Sequence, residues 1–141
     1  MTNSVTIRAF VPEDIDAVID LLQEVSVYRP DADKIPSLAK EFAAQTNSYA
    51  CVAIKDDRLI GFGSVFIINR LRGGLSAIVE DVVVARPVRG NGIGRALIMA
   101  LLEFARERGC FKVTLETSTP AEQFYYSVGF LKAGRVMKFI L

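Results

Sequence analysis

The sequence predicts an α/β fold, and three observations lead to it. First, an acidic pair opens a β-branched run, Glu80-Asp81-Val82-Val83-Val84, which passes through the glycine-rich turn Arg89-Gly90-Asn91-Gly92-Ile93-Gly94 into a stretch with helical spacing. There Ile93, Leu97, Leu101 and Phe104, with Ala100 beside them, form one apolar face. Arg95, Glu103, Arg106 and Glu107 take the rest of the surface, and Gly109 follows as a stop. Second, the runs Tyr49 to Ile54 and Leu59 to Ile68 flank Asp56-Asp57-Arg58, the pattern of a β-hairpin. Third, 141 residues with 51% hydrophobic content can bury one sizeable core and are too few for two ordinary domains, so one domain over residues 1–141 is expected.

The remaining elements follow in chain order. Val5 to Phe10 alternates as a short strand. Pro12 suits the first position of a helix, with Glu13 and Asp14 in the first turn where the dipole favours acids, although Val11 is a poor cap. The apolar face of that helix is Ile15, Val18, Ile19, Leu22 and Val25, continuing to about Ser26. Tyr28 to Pro36 carries prolines and aspartates and reads as a loop; Leu38, Ala39, Phe42 and Ala43 then suggest a second, shorter helix. Gly61 and Gly63 share one face of the returning hairpin strand, where they permit close approach of another backbone or a ligand, or bending of a long strand. After the turn Asn69 to Gly74, a strand leads into the acidic pair. Phe111 to Leu115 is a further strand, Thr117 to Ala121 leads into a short helix ending near Val128, and Gly129 to Leu141 reads as a terminal hairpin turned at Ala133-Gly134.

The glycine-rich turn carries the first chemical signal. A strand entering a helix through Arg89 to Arg95 exposes unpaired N–H groups at the positive end of a helix dipole, which is an anion site. A Walker loop would need Lys followed by Ser or Thr after the last glycine, and Arg95 and Ala96 stand there. The dinucleotide fingerprint spaces its glycines differently and follows the first strand of its fold. A net charge of +1 with interspersed signs offers no field for nucleic acid or an anionic membrane. The opening MTNSVTIRAF lacks the regions of a leader, and no apolar run reaches membrane-spanning length, so a cytoplasmic protein is expected. With no histidine, a Ser-His or Cys-His nucleophile is excluded and no metal site is expected; Cys51 and Cys110 stand alone in apolar runs.

Arg89, Gly92 and Gly94 match the Gln/Arg-x-x-Gly-x-Gly/Ala signature of the GNAT superfamily of acyl-coenzyme A N-acyltransferases, and the order of parts is similar from about residue 77 to 140. The run Glu80 to Val84, the step Gly109-Cys110-Phe111-Lys112-Val113 and the stretch Phe124-Tyr125-Tyr126-Ser127-Val128-Gly129-Phe130 most resemble glucosamine-phosphate N-acetyltransferases and similar small bacterial members. The resemblance implies a mixed sheet of about six to seven strands with splayed parallel strands in the middle and helices on both faces. It also implies acetyl-coenzyme A as cosubstrate. The pyrophosphate would lie on Arg89, Gly90, Asn91, Gly92, Ile93, Gly94 and Arg95, and the pantetheine arm and thioester on the backbone of Val82, Val83 and Val84. Transfer would be direct, to a primary amine of a small molecule such as an amino sugar phosphate.

Within that frame Tyr125 matches the residue that protonates the departing thiolate, a role suited to a phenol of pKa about 10 beside a thiol of about 8.5. Glu80 or Glu116 is the candidate base, with Asp81 beside them. Alternation in a regular strand lets only one of Glu80 and Asp81 face a given cleft, and the resemblance implies a bulge that would re-aim one. Glu116 ends its strand on the side where open α/β sheets bind ligands. Tyr28, Arg29 and Lys34 are candidate acceptor contacts, and Arg70 and Arg72 could meet a phosphorylated acceptor. Ala121 departs from the pattern, since many members carry a cofactor-contacting Asn there. The terminal run VMKFIL is apolar enough to pair within a homodimer. The alternatives are a protein or peptide N-acetyltransferase, marked by a long open groove, and a catalytically silent coenzyme A-binding module, which Ala121 would suit.

Overall fold

A five-stranded sheet in the order β1-β2-β3-β4-β5 forms the centre of the computed structural model, which describes residues 4–141. Met1 to Asn3, the start of the stretch read above for a leader, lie outside the described residues. Strands β1 (Thr6–Ala9), β2 (Ser48–Lys55), β3 (Arg58–Arg70) and β4 (Gly74–Val84) pair antiparallel, and β5 (Val113–Leu115) joins β4 in parallel. The helices are α1 (Ile15–Leu22), α2 (Ile35–Ala44), α3 (Ile93–Glu107) and α4 (Glu122–Val128). The hairpin expected between β2 and β3 closes through Asp56 and Asp57 at φ 50° and 59°, a left-handed pair that matches the twist of the strands.

Both faces of β2 are buried, and its alternation divides the core. Cys51 and Ala53 pack with Leu97, Ile98 and Leu101 of α3, while Ala50 and Val52 pack with Val18 and Leu21 of α1. The glycines of β3 have a specific use on the α3 side. A Cβ on Gly61 would lie 2.9 Å from Leu97 Cδ1, and one on Gly63 would lie 3.0 Å from Leu101 Cδ1. They admit helix side chains to the sheet, in place of the backbone, ligand or strand bend that the sequence suggested.

The start of α1 explains how a poor cap is tolerated. A 3₁₀ turn at Pro12–Asp14 precedes the helix, and the Asp14 carboxylate accepts the Val11 N–H at 2.9 Å. Arg8 on β1 grips the same carboxylate with two hydrogen bonds of 2.8 and 2.9 Å, holding it below the usual carboxylate range. The helix then stops at Leu22, so Val25 leaves the apolar face expected of it and lies half exposed in the following turn.

The expected terminal hairpin is not formed. After α4, capped by Gly129 at φ 112°, residues 130–141 have no regular structure, and the sheet has five strands in place of six or seven. Val136, Met137, Phe139, Ile140 and Leu141 are all exposed. Strand propensity reflects fit to a pleated, half-buried surface, and this segment packs against no such surface within the chain.

Candidate active site

The site begins with a defect in β4. Glu80 pairs with Ser64 and Val83 with Phe62, so Asp81 and Val82 together oppose Gly63, and Asp81 takes φ 55°. This is a β-bulge. Val79 and Val82 both pack toward the α3 core, although strict alternation would put them on opposite faces. The extra residue therefore leaves Glu80 and Asp81 lining one cavity. Ser64, buried among apolar neighbours, donates its hydroxyl to the Glu80 carbonyl at 2.9 Å and holds the bulge from below. Sequence reasoning passed over Ser64; the signal was a lone hydroxyl in the apolar run from Leu59 to Ile68.

Just before the bulge, β4 and β5 part. Their ladder runs from Ala77↔Val113 to Val79↔Leu115, and β5 ends there. Beyond it Val82, Val83 and Val84 pair with β3 or nothing, and the widening gap is a cavity of about 510 Å³. Glu80, Asp81, Glu116 and Tyr125 all line it, as does Ala121. Burial raises the Glu80 carboxyl above its ordinary value, and the neighbouring negative charges of Asp81 and Glu116 raise it further. Burial also raises the Tyr125 phenol, whose ring sits edge-on to Phe124 at 5.0 Å and to Phe130 at 5.6 Å. The three valines differ in use. The Val83 side chain belongs to the α1 core, and the Val84 carbonyl accepts Arg89 Nε at 2.8 Å.

The glycine-rich turn connects this gap to α3. Gly90 and Gly92 lie at φ 85° and 80° with open space where a Cβ would go, so their need is conformational. Gly94 is different: a Cβ there would come within 3.3 Å of Phe124 Cζ, so its smallness seats α4 against the turn. Ile93 is buried and can offer only backbone to a ligand. Asn91 Nδ2 donates to the Val88 carbonyl at 3.0 Å, bracing the turn, and Arg95 Nη1 reaches the Ser127 carbonyl at 3.3 Å. Glu24, which sequence reasoning did not single out, accepts from the Arg86 N–H at 3.3 Å and pairs with Arg89 at 3.5 Å. It links the end of α1 to the turn across 65 residues of sequence.

Other sequence candidates lie apart. Arg29 pairs with Asp20 at 2.7 Å, Lys34 with Asp31 at 3.5 Å, and Arg70 donates to Ser76 at 2.9 Å. None of these lines the β4–α4 cavity; nor does Arg72 or Tyr28, and Tyr28 borders a second cavity beside α1. Burial pushes the Cys51 thiol up to about 12 and raises that of Cys110 as well. Among the described residues no cluster of three or more His, Cys, Asp or Glu side chains is placed to hold a metal ion, and no helix is long and apolar enough to cross a membrane.

Comparison with known proteins agrees with this architecture. A solved Trypanosoma brucei acetyltransferase superposes with a TM-score of 0.88 at 30% identity, covering 98% of this chain and all of that one. An Arabidopsis thaliana glucosamine-6-phosphate N-acetyltransferase shares the fold, with a TM-score of 0.88 at 24% identity over 97% of this chain and 98% of that one. In sequence, a probable glucosamine 6-phosphate N-acetyltransferase 2 of Oryza sativa is 31% identical over 93% of this chain and 84% of its own length. A glucosamine 6-phosphate N-acetyltransferase of Trypanosoma brucei brucei is 41% identical over 57% of this chain, a match spanning 56% of that protein. The profile of the acetyltransferase (GNAT) family matches residues 15–130, and the chain belongs to that family.

Proposed function

We propose that the chain transfers an acetyl group from acetyl-coenzyme A to a primary amine of a small molecule, directly and within a ternary complex. The observation that carries this reading is the convergence of Glu80, Asp81, Glu116 and Tyr125 on one cavity, at the point where β4 and β5 part. Two further features fit the cosubstrate. Gly90 and Gly92 hold the turn in a left-handed conformation ahead of a 15-residue helix that no side chain caps among the described residues, a start suited to a pyrophosphate. The splayed edge of Val82 to Val84 gives a pantetheine arm a strand to lie along, with N–H groups toward a developing oxyanion.

The residues then divide the proton work. Glu80, its carboxyl raised toward neutrality, takes a proton from the incoming ammonium directly or through water, with Glu116 as the other base in reach of the cavity. The freed amine attacks the thioester carbonyl, the carbon–sulfur bond breaks, and Tyr125 gives its proton to the departing thiolate. A phenol raised by burial stays protonated throughout the neutral range, as an acid must. Acyl transfer through cysteine is disfavoured, because the burial that raises both thiols removes the thiolate a nucleophile needs.

The printed names of the relatives make an amino sugar phosphate the reference acceptor. A homodimer belongs to the same reading. The exposed segment from Val136 to Leu141 and the outer edge of the three-residue β5 are both without a strand partner in the described chain, and each is what the other lacks. Two free cysteines accord with a reducing, cytoplasmic location. Thiol release from acetyl-coenzyme A over a panel of amines, amino sugar phosphates and peptides tests the activity. Turnover confined to small amines is expected, and turnover on peptides alone would contradict the acceptor class.

A further inference from the structure

The sheet face opposite α3 is left partly open. Between α1, α2 and strands β3 and β4 lies a cavity of about 650 Å³, within the usual size of small-molecule sites. Its walls are apolar: Ile15, Ile19 and Leu22 from α1, Leu38 and Phe42 from α2, and Phe62 from β3. Most polar groups that reach it are committed within the protein. Gln23 donates to the carbonyls of Ile19 and Tyr28 at 3.1 and 3.2 Å, Ser26 Oγ accepts the Tyr28 N–H at 3.1 Å, and Ser64 is held on the Glu80 carbonyl.

Two features tie this chamber to the acceptor and constrain its chemistry. Asp81 lines both the chamber and the β4–α4 cavity, so the bulge residue borders both spaces. The charged groups lining the chamber are the carboxylates of Glu41 and Asp81, and no lysine or arginine lines either space among the described residues. A phosphate seated here would lose water and face like charge, a cost without compensation. An ammonium attached to an apolar body would meet the reverse: carboxylates at the bulge for its charge and desolvated walls for its bulk.

We infer that the acceptor's non-reacting part is an uncharged apolar group, aryl or branched alkyl, seated in the chamber between α1, α2 and β3, with its amine reaching past Asp81 to Glu80, Glu116 and Tyr125. The inference rests on the transferase reading of the β4–α4 cavity and names its acceptor class. The chamber is built by residues 10 to 64 together with Asp81, whereas the signature turn and α3 lie beyond it in sequence. Acceptor choice can therefore differ from that of relatives without any change in the signature.

The test compares coenzyme A release from acetyl-coenzyme A with straight-chain primary amines from propyl to hexyl, 2-phenylethylamine and glucosamine 6-phosphate, using the full chain and Leu38→Arg. Leu38 is at the chamber rim and partly exposed, so the charged end of an arginine placed there can reach solvent. In the alkyl series kcat/KM rises about fourfold per methylene, and 2-phenylethylamine exceeds glucosamine 6-phosphate by tenfold or more. Leu38→Arg lowers the 2-phenylethylamine value about tenfold, while coenzyme A affinity measured by calorimetry stays unchanged. If glucosamine 6-phosphate is the better substrate and Leu38→Arg has no effect on the amines, the chamber assignment fails and the transferase reading stands. If no amine is acetylated at all, both fail together.

Discussion

The two faces of the sheet are made by the same strands and put to opposite uses. On the α3 face, glycine at positions 61 and 63 lets Leu97 and Leu101 sit directly on β3, and both leucines are fully buried. On the α1–α2 face, β3 presents Phe62 and Ser64 to a chamber that the two helices do not fill. Close packing transmits strain and tolerates little change, so it suits a platform; an open face suits recognition. The bulge at Asp81 joins these two worlds. It keeps Val79 and Val82 packed toward the core and still delivers Glu80 and Asp81 to the β4–α4 cavity, with Asp81 bordering the chamber as well.

Substitutions can break or sharpen this division. Leu101→Ala removes a fully buried side chain from the packed face, and a loss of about 3 kcal/mol in denaturant unfolding is expected. The turnover number per folded molecule should hardly change, and a parallel fall in both would mean that the faces are not separable. Gly92→Val acts where space is open but φ is 80°, so its effect is conformational; a coenzyme A affinity about tenfold weaker by calorimetry is expected. Unchanged affinity would remove the turn from the site.

Smaller effects follow elsewhere. Asp14→Asn loses the charge-assisted bonds from Arg8 and should cost about 1 kcal/mol at neutral pH. Because the folded-state value of Asp14 is lowered, its contribution is present above the unfolded carboxylate pKa of about 3.9 and is lost as pH falls through the folded value. The variant and the wild type should therefore converge in stability in strong acid. Asp81→Asn removes one of the negative charges that raise Glu80, so the acid limb of the kcat/KM profile should move to lower pH. An unmoved limb would argue that Glu80 is not the titrating base.

What the sequence revealed follows the range of the signals. The β2–β3 hairpin, the strand before Val84 and the helix from Ile93 are written in local periodicity and turn chemistry, and they stand where expected. The partners of the bulge were less legible. An acidic pair announced that something happens at Glu80, but its resolution depends on Gly63 and Ser64 in the neighbouring strand, which no local pattern links to it. Gly61 and Gly63 looked like sites of bending because the leucines that need them lie more than 30 residues on. The chamber was hidden for a related reason: each wall read as an ordinary apolar helix face, and only their mutual spacing leaves a cavity. Val136 to Leu141 scored as a strand because propensity takes no account of whether a surface is available to receive it.

Turnover by Tyr125→Phe measures the central claim most directly, because the change keeps the ring packed on Phe124 and Phe130 and removes only the phenolic hydroxyl that carries the proton. We expect kcat to fall about 100-fold, with coenzyme A affinity and thermal stability unchanged. A variant that turns over at the wild-type rate across neutral pH would contradict the assignment of the acid, and with it the account of how this cavity performs the transfer.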